Sequence, residues 1–509
     1  MMEKNVGQSG AVRIYPVNET EEACRDYKCE INGRAVVCDT ARVSAVPFNR
    51  RWPGHQREKE QTELVNFLSF AAEGETEIVI YPQKPFGSVK IRPERLDAEI
   101  VVEPDVKIVV RLHSPAYFTV EPYGVNGALH VFADPMPAYD VGKGKNVIYY
   151  GAGVHDAGNI ELKSGETLFL DEGALVYASV CAVDAENIRI LGRGILDNGR
   201  NKEKILYEAN VEENDTACAN AERRNAIDLV RCRNAEIDGI VIRDSLAYNI
   251  DCVSCENVNI RNIKIIGCWR FNSDGVHFAN CGDCSLTDSF LRCYDDSVCV
   301  RGYAAFEYDR WLKGKSGHRN ACKNIRVANC TIWNDWGKGL QVGTETYAEE
   351  ICDIRFENCD IIRVSAGAMF IWLVDNARIH DVLFKNIAAE YDDVNRPERI
   401  QRKDGETYAY VYDAAFIQPF VMFCIQKHFE YSMIRKEEEL GSIRGVRLEN
   451  LFCFSRRRPV FVFVGHNEKS DIQNVVFDGV FWNEERVSKE LFLRATSKNE
   501  FCADIVLAR

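Results

Sequence analysis

Nine segments of the 509-residue chain repeat one short pattern in register, and this repetition limits the fold more than any other feature. They are NIRILGRGIL (187–196), NAEIDGIVI (234–242), NVNIRNIKI (257–265), DCSLTDSFL (283–291), NIRVANCTI (324–332), DIRFENCDI (353–361), DVLFKNIAA (381–389), GVRLENLFC (445–453) and NVVFDGVFW (474–482). Each reads as a short strand, one small or amide residue, then a second strand. The fixed place holds Gly192, Gly239, Asn262, Asp288, Asn329, Asn358, Asn386, Asn450 and Gly479. Gly, Asn and Asp tolerate the left-handed backbone, so one tight bend recurs in every unit. The shortest steps, 23 to 29 residues, accommodate three short strands with their turns. A unit of that size cannot bury its apolar face alone, whereas stacked units bury a continuous core. The expected fold is all-β, a right-handed parallel β-helix over 146–509.

Residues 1–145 read differently, as short β-like runs such as EIVIYP (77–82) and VKIVVRL (106–112) separated by turns. They are expected to form an N-terminal β-sandwich, interrupted by one helix over QTELVNFLSFAA (61–72). Three repeat steps carry excess chain near 200–225, 302–320 and 391–442, which a solenoid displays as loops, at least two of them walling a cleft.

Composition narrows the function. No apolar run reaches the ~20 residues of a membrane span. With 63 basic and 77 acidic side chains, the net charge is −14, and no basic stripe suits nucleic acid. The N-terminus lacks an apolar stretch of the secretory type, so a cytoplasmic location is expected. The 20 cysteines then read as thiols. Cys232, Cys255, Cys281 and Cys322 each lie two residues before a repeat start, which predicts an inward stack. It also weakens a zinc reading of Cys252-x-x-Cys255 and Cys281-x-x-Cys284, so no metal or cofactor is assigned.

The chemically dense stretch is 269–302. Asp274 precedes Asp295 by 21 residues and Asp296 by 22, nearly one coil, which places three carboxylates on adjacent rungs ~4.8 Å apart. Clustered acids repel until one keeps a proton, and so supply an acid and a base together. Glycoside hydrolysis requires that division.

Asn272-Ser273-Asp274-Gly275, followed one coil later by Asp295-Asp296, resembles glycoside hydrolase family 28, the polygalacturonase-like enzymes. The segments 245–265 and 149–180 also look like coils of that family, and a leading β-sandwich is similar to the layout of family 49, the dextranase and isopullulanase group. The resemblance covers about 149–390 well. It implies an inverting hydrolase acting mainly on α-linkages, with Asp295 as general acid and Asp274 and Asp296 activating water. Two departures matter. The family's G-H-G turn reads Gly337-Lys338-Gly339 here, and its R-I-K motif is replaced by MFIWLVDNA (369–377). The basic residues of that motif hold a uronate in the family, so their absence favours a neutral or sparsely charged oligosaccharide or polysaccharide. Candidate substrate-binding residues are Asn272, Arg301, Trp336, Lys338 and Trp372, whereas His277 reads as structural. A polygalacturonase-like pectin hydrolase, a uronate lyase or epimerase, and a non-catalytic glycan-binding β-helix are the competing functions.

Overall fold

The computed structural model describes residues 10–18, 23–45, 62–139, 141, 144–200, 225–270, 272–303, 320–391, 398–400, 409–411, 418–427 and 440–508. Most of the three expected insertions therefore lies outside the described residues. The exception of note is an antiparallel pair, Glu398–Ile400 with Ala409–Val411.

From Val147–Tyr150 onward the chain winds into a parallel β-helix. Each coil contributes up to three strands, and each strand pairs in parallel with its counterpart one coil away. The first sheet shows the register most clearly: Ile250 pairs with Val276, Val276 with Val298, Val298 with Leu340, and Leu340 with Met369. These side chains all point into one continuous apolar core.

All nine residues at the repeated bend adopt positive φ, from 50° at Asp288 to 127° at Gly192. A second left-handed position recurs five residues earlier, at Asn187, Asn234, Asn257, Asp283, Asn324, Asp353, Asp381, Gly445 and Asn474. The amides at both positions bond from coil to coil. Asn358 donates to Asn329 at 3.3 Å and Asn386 donates to Asn358 at 2.9 Å. Asn257 donates to Asn234 at 2.9 Å. Cys232, Cys255, Cys281 and Cys322 are buried in the core as a stack, and Cys252 and Cys284 lie in the same apolar cluster.

Ahead of the helix, a six-stranded and a five-stranded sheet face each other across a separate apolar core. The helix expected over 61–72 is instead the long strand Thr62–Glu73, bonded to Ala11–Ile14, Asp39–Ser44 and Leu129–Pro135. The physical reason is burial on both faces. Leu68, Phe70 and Ala72 enter the sandwich core, while Val65 and Phe67 on the opposite face pack against the β-helix. A strand covered on both sides loses its apolar–polar alternation, and the remaining apolar run reads like a buried helix.

The sandwich lies on the outward face of the third sheet of the β-helix, against Ile195, Val241, Ile266, Phe290, Trp333 and Ile362. Buried ion pairs cross this junction. Lys264 Nζ lies 2.9 Å from both oxygens of Asp134, and Arg243 bridges Asp39 at 3.3 Å and Asp197 at 2.7 Å. With the third sheet covered, the first sheet presents the functional groups.

Candidate active site

The turn from the third sheet into the first places one residue of each coil in a column, two positions before the inward-facing side chain. Successive coils put Tyr248, Asp274, Asp296, Lys338 and Gly367 there, followed by Ile250, Val276, Val298, Leu340 and Met369. The column thus brings together two of the three predicted carboxylates and the predicted lysine. Asp295 stands beside them, its Oδ1 accepting from the Asp296 amide at 2.9 Å. One oxygen of each of Asp274, Asp295 and Asp296 lies within 4.8 Å of the other two.

Two glycines permit this crowding. A Cβ on Gly337 would fall 2.5 Å from the Asp296 nitrogen and 2.6 Å from the Asp295 carbonyl carbon. A Cβ on Gly275 would fall 2.1 Å from the Ser297 carbonyl oxygen. Gly275, next to Asp274, and Gly337, next to Lys338, are therefore the glycines that let adjacent coils close on one another. Asn272 adopts φ 55°, the left-handed turn that aims Asp274. Asn334 fixes the next turn by donating to the Asp295 carbonyl and, at 3.2 Å, to Ser297 Oγ.

The three acids sit in unlike surroundings. Burial and the neighbouring Asp274 and Asp296 charges hold the Asp295 carboxyl well above the usual carboxylate range. Asp296 goes the other way. Burial opposes its ionisation, but Lys338, Arg301 and the Lys338 amide outweigh that and lower it. Lys338 Nζ lies 3.2 and 3.3 Å from the two Asp296 oxygens, and its backbone N–H donates to Oδ1 at 2.9 Å. Lys338 therefore orients a carboxylate.

Asp274 is raised by burial and by Asp296. Its Oδ2 is 3.0 Å from His277 Nε2, and Arg301 Nη2 lies 3.4 Å from the same nitrogen. Burial and Arg301 hold His277 well below its ordinary value, so the ring is neutral. The second oxygen, Oδ1, has no hydrogen-bond partner among the described residues.

Arg301 is buried and held by Glu345 at 3.0 Å, with Tyr303 OH at 3.1 Å. Trp372 stands on the strand Gly367–Leu373 with the Lys338 ammonium 5.4 Å from its ring. Trp336 flanks the Gly337-Lys338 turn. It is half-buried, packs on the apolar core and lies 5.5 Å from the Tyr294 ring. His277, read from sequence as structural, touches Asp274 directly. Tyr248, 4.2 Å from the His277 ring, and Glu345 were not anticipated.

The profile of Glycosyl hydrolases family 28 matches residues 150–402, which contain every group described above. The chain is a glycoside hydrolase of the family 28 type. Its substrate class is accordingly carbohydrate. No curated protein sequence matches the chain. Among solved structures, Dex49A from Penicillium minioluteum superposes with a TM-score of 0.57 at 13% identity, covering 97% of this chain and 94% of its own. The shared fold thus extends through the leading sheets of this glycoside hydrolase. The family 28 exopolygalacturonase of Yersinia enterocolitica gives 0.46 at 14% identity, covering 84% of this chain and 96% of its own. The hyperthermoactive exopolygalacturonase of Thermotoga maritima gives 0.45 at 18% identity, covering 67% and 84%.

Proposed function

We propose that this glycoside hydrolase cleaves α-glycosidic bonds of a neutral or sparsely charged oligosaccharide or polysaccharide, with inversion. Asp295 protonates the leaving oxygen. Asp296, the ionised member of the trio, takes the proton of the attacking water, which Asp274 helps to hold through Oδ1. The raised and lowered carboxyls supply the acid and the base that the reaction needs.

The neutral substrate rests on one observation: among the described residues, both cations at the carboxylates are already paired. Lys338 is engaged by Asp296, and Arg301 by Glu345 and Asp274. A uronate would have to draw one of them out of a buried ion pair, leaving its partner uncompensated. Trp372 offers an apolar face instead.

The carboxyl trio is more compact than the ~6.5–9.5 Å that commonly separates acid and base in inverting enzymes. Water held between Asp296 and Asp274 Oδ1 reconciles that compactness with inversion. Nuclear magnetic resonance of the first product formed settles the point: the β-anomer from an α-substrate is expected, and the α-anomer would overturn inversion. Reducing-sugar release across neutral and acidic oligosaccharides tests the substrate. We expect release from a neutral glycan, lowered about 10²–10⁴-fold in Asp295→Asn through loss of the acid. Preferential release from a polyuronide would overturn the neutral assignment, and full activity in Asp295→Asn would overturn that of the acid.

A further inference from the structure

On the outer face of the second sheet, away from the carboxylate trio, Glu350, Cys352 and His380 converge. Glu350 and Cys352 are two apart on the strand Glu350–Glu357, so they project from the same face. His380, on Arg378–Lys385, is the direct cross-strand partner of Cys352. The core residues Ile351 and Ile379 alternate with them on the inner side. Unlike the stacked cysteines inside the coils, Cys352 thus faces outward, sheltered but next to ionisable groups.

The histidine carries the telling detail. Its Nδ1 is 2.8 Å from Asp381 Oδ2, so Nδ1 holds the hydrogen and donates to the carboxylate. In the neutral ring, Nε2 is then a bare lone pair, and it lies 3.6 Å from the Glu350 carboxylate oxygen. A proton or a metal ion can bridge these two atoms. A histidine whose Nδ1–H is pinned by a carboxylate while Nε2 faces ligand atoms has the outer-shell arrangement of metal-binding imidazoles.

We propose that Glu350, Cys352 and His380 form a binding site for a zinc-class divalent ion, with the fourth position taken by water or by Asp353. One donor atom of each of the three lies within 4.8 Å of the others. Metal–ligand bonds of ~2.0–2.3 Å put tetrahedral ligands roughly 3.3–3.7 Å apart, a spacing that the Glu350–His380 pair already has. Asp353 Oδ2 is 3.9 Å from the Cys352 sulfur. The thiol, nitrogen and carboxylate set favours zinc over calcium or magnesium, which take oxygen ligands. Arg378 lies 3.6 Å from Glu350, and Lys323 is paired with Cys352 in the adjacent strand. Ligation through the thiolate displaces the thiol proton to solvent. The ion would clamp two neighbouring coils, those carrying Lys338 and Trp372 on their first strands.

The test is zinc titration of chelator-stripped full-length protein by calorimetry, with cobalt as a spectroscopic substitute. One equivalent is expected to bind with release of one proton and a rise in melting temperature. Cobalt should give a thiolate charge-transfer band that Cys352→Ser abolishes. His380→Gln, at a partly exposed position that tolerates the change, should remove stoichiometric binding. Asp381→Asn should weaken it about 10–100-fold, the usual effect of losing an outer-shell partner. Absence of stoichiometric binding, or binding indifferent to His380→Gln and Cys352→Ser, would overturn the site. Binding lost only in Asp296→Asn would place the ion at the catalytic carboxylates and overturn it equally.

Discussion

Lys338 is one of two places where this glycoside hydrolase departs from the pattern it resembles, and its contacts give the change a chemical meaning. The ammonium and the amide of one residue both hold Asp296 in its ionised form. Removing the charge in Lys338→Met should let the Asp296 pKa rise. With Asp296 as the proposed base, activity needs it ionised and is lost as pH falls through its pKa, so the acidic limb of the rate profile should move to higher pH. The basic limb, set by loss of the Asp295 proton, should move the same way but less, because Lys338 also lowers Asp295. Measuring kcat/KM against pH for both proteins checks this. Gly337→Ala tests the backbone approach. Its methyl would collide with the Asp295–Asp296 peptide, and a misplaced acid or base should cost on the order of 10²-fold in kcat. Far-ultraviolet circular dichroism should be unchanged. The acids themselves were legible because their separation equals one coil. Tyr248 shares their column but not their chemistry, so nothing in the sequence singled it out. Glu345 was hidden for another reason: the register shifts between Val300 and Gly302, and a count of residues along the coil no longer predicts what faces Arg301.

At the scale of the element, each coil turns on two left-handed residues rather than one. The conformation costs an ordinary L-residue about 1–2 kcal/mol, which Asn offsets by local and coil-to-coil hydrogen bonds. Asn358 both donates to Asn329 and accepts from Asn386. Asn358→Ala should therefore lower stability by about 1–3 kcal/mol, one part backbone strain and one part lost bonding, read by denaturant unfolding. Asn358→Gly should cost less, since only the ladder is lost. The repeated bend was readable because Gly, Asn and Asp recur at it without exception. The strand Thr62–Glu73 was not, because its pairing with three neighbours and its two buried faces are properties of the assembled sheet, absent from the local pattern.

The whole molecule is held by a charged seam beneath an apolar one. Lys264 is fully buried, bonded to Asp134 and to the carbonyls of Gly239 at 2.7 Å and Asn262 at 3.1 Å. Lys264→Met would leave Asp134 short of a cation inside the junction, and a loss of about 3–5 kcal/mol is expected in equilibrium unfolding. Arg193, with its Nε 3.8 Å from Asp134, should keep the loss near the lower end. The stacked strands also have a consequence for how such a groove can change. Each coil sets one side chain at the rim, as a comb sets its teeth, and a neighbouring tooth can be exchanged without bending the spine. Replacing a histidine by Lys338 is one exchange of this kind. Preference for a sugar can then drift tooth by tooth along the groove while the acids stay in place.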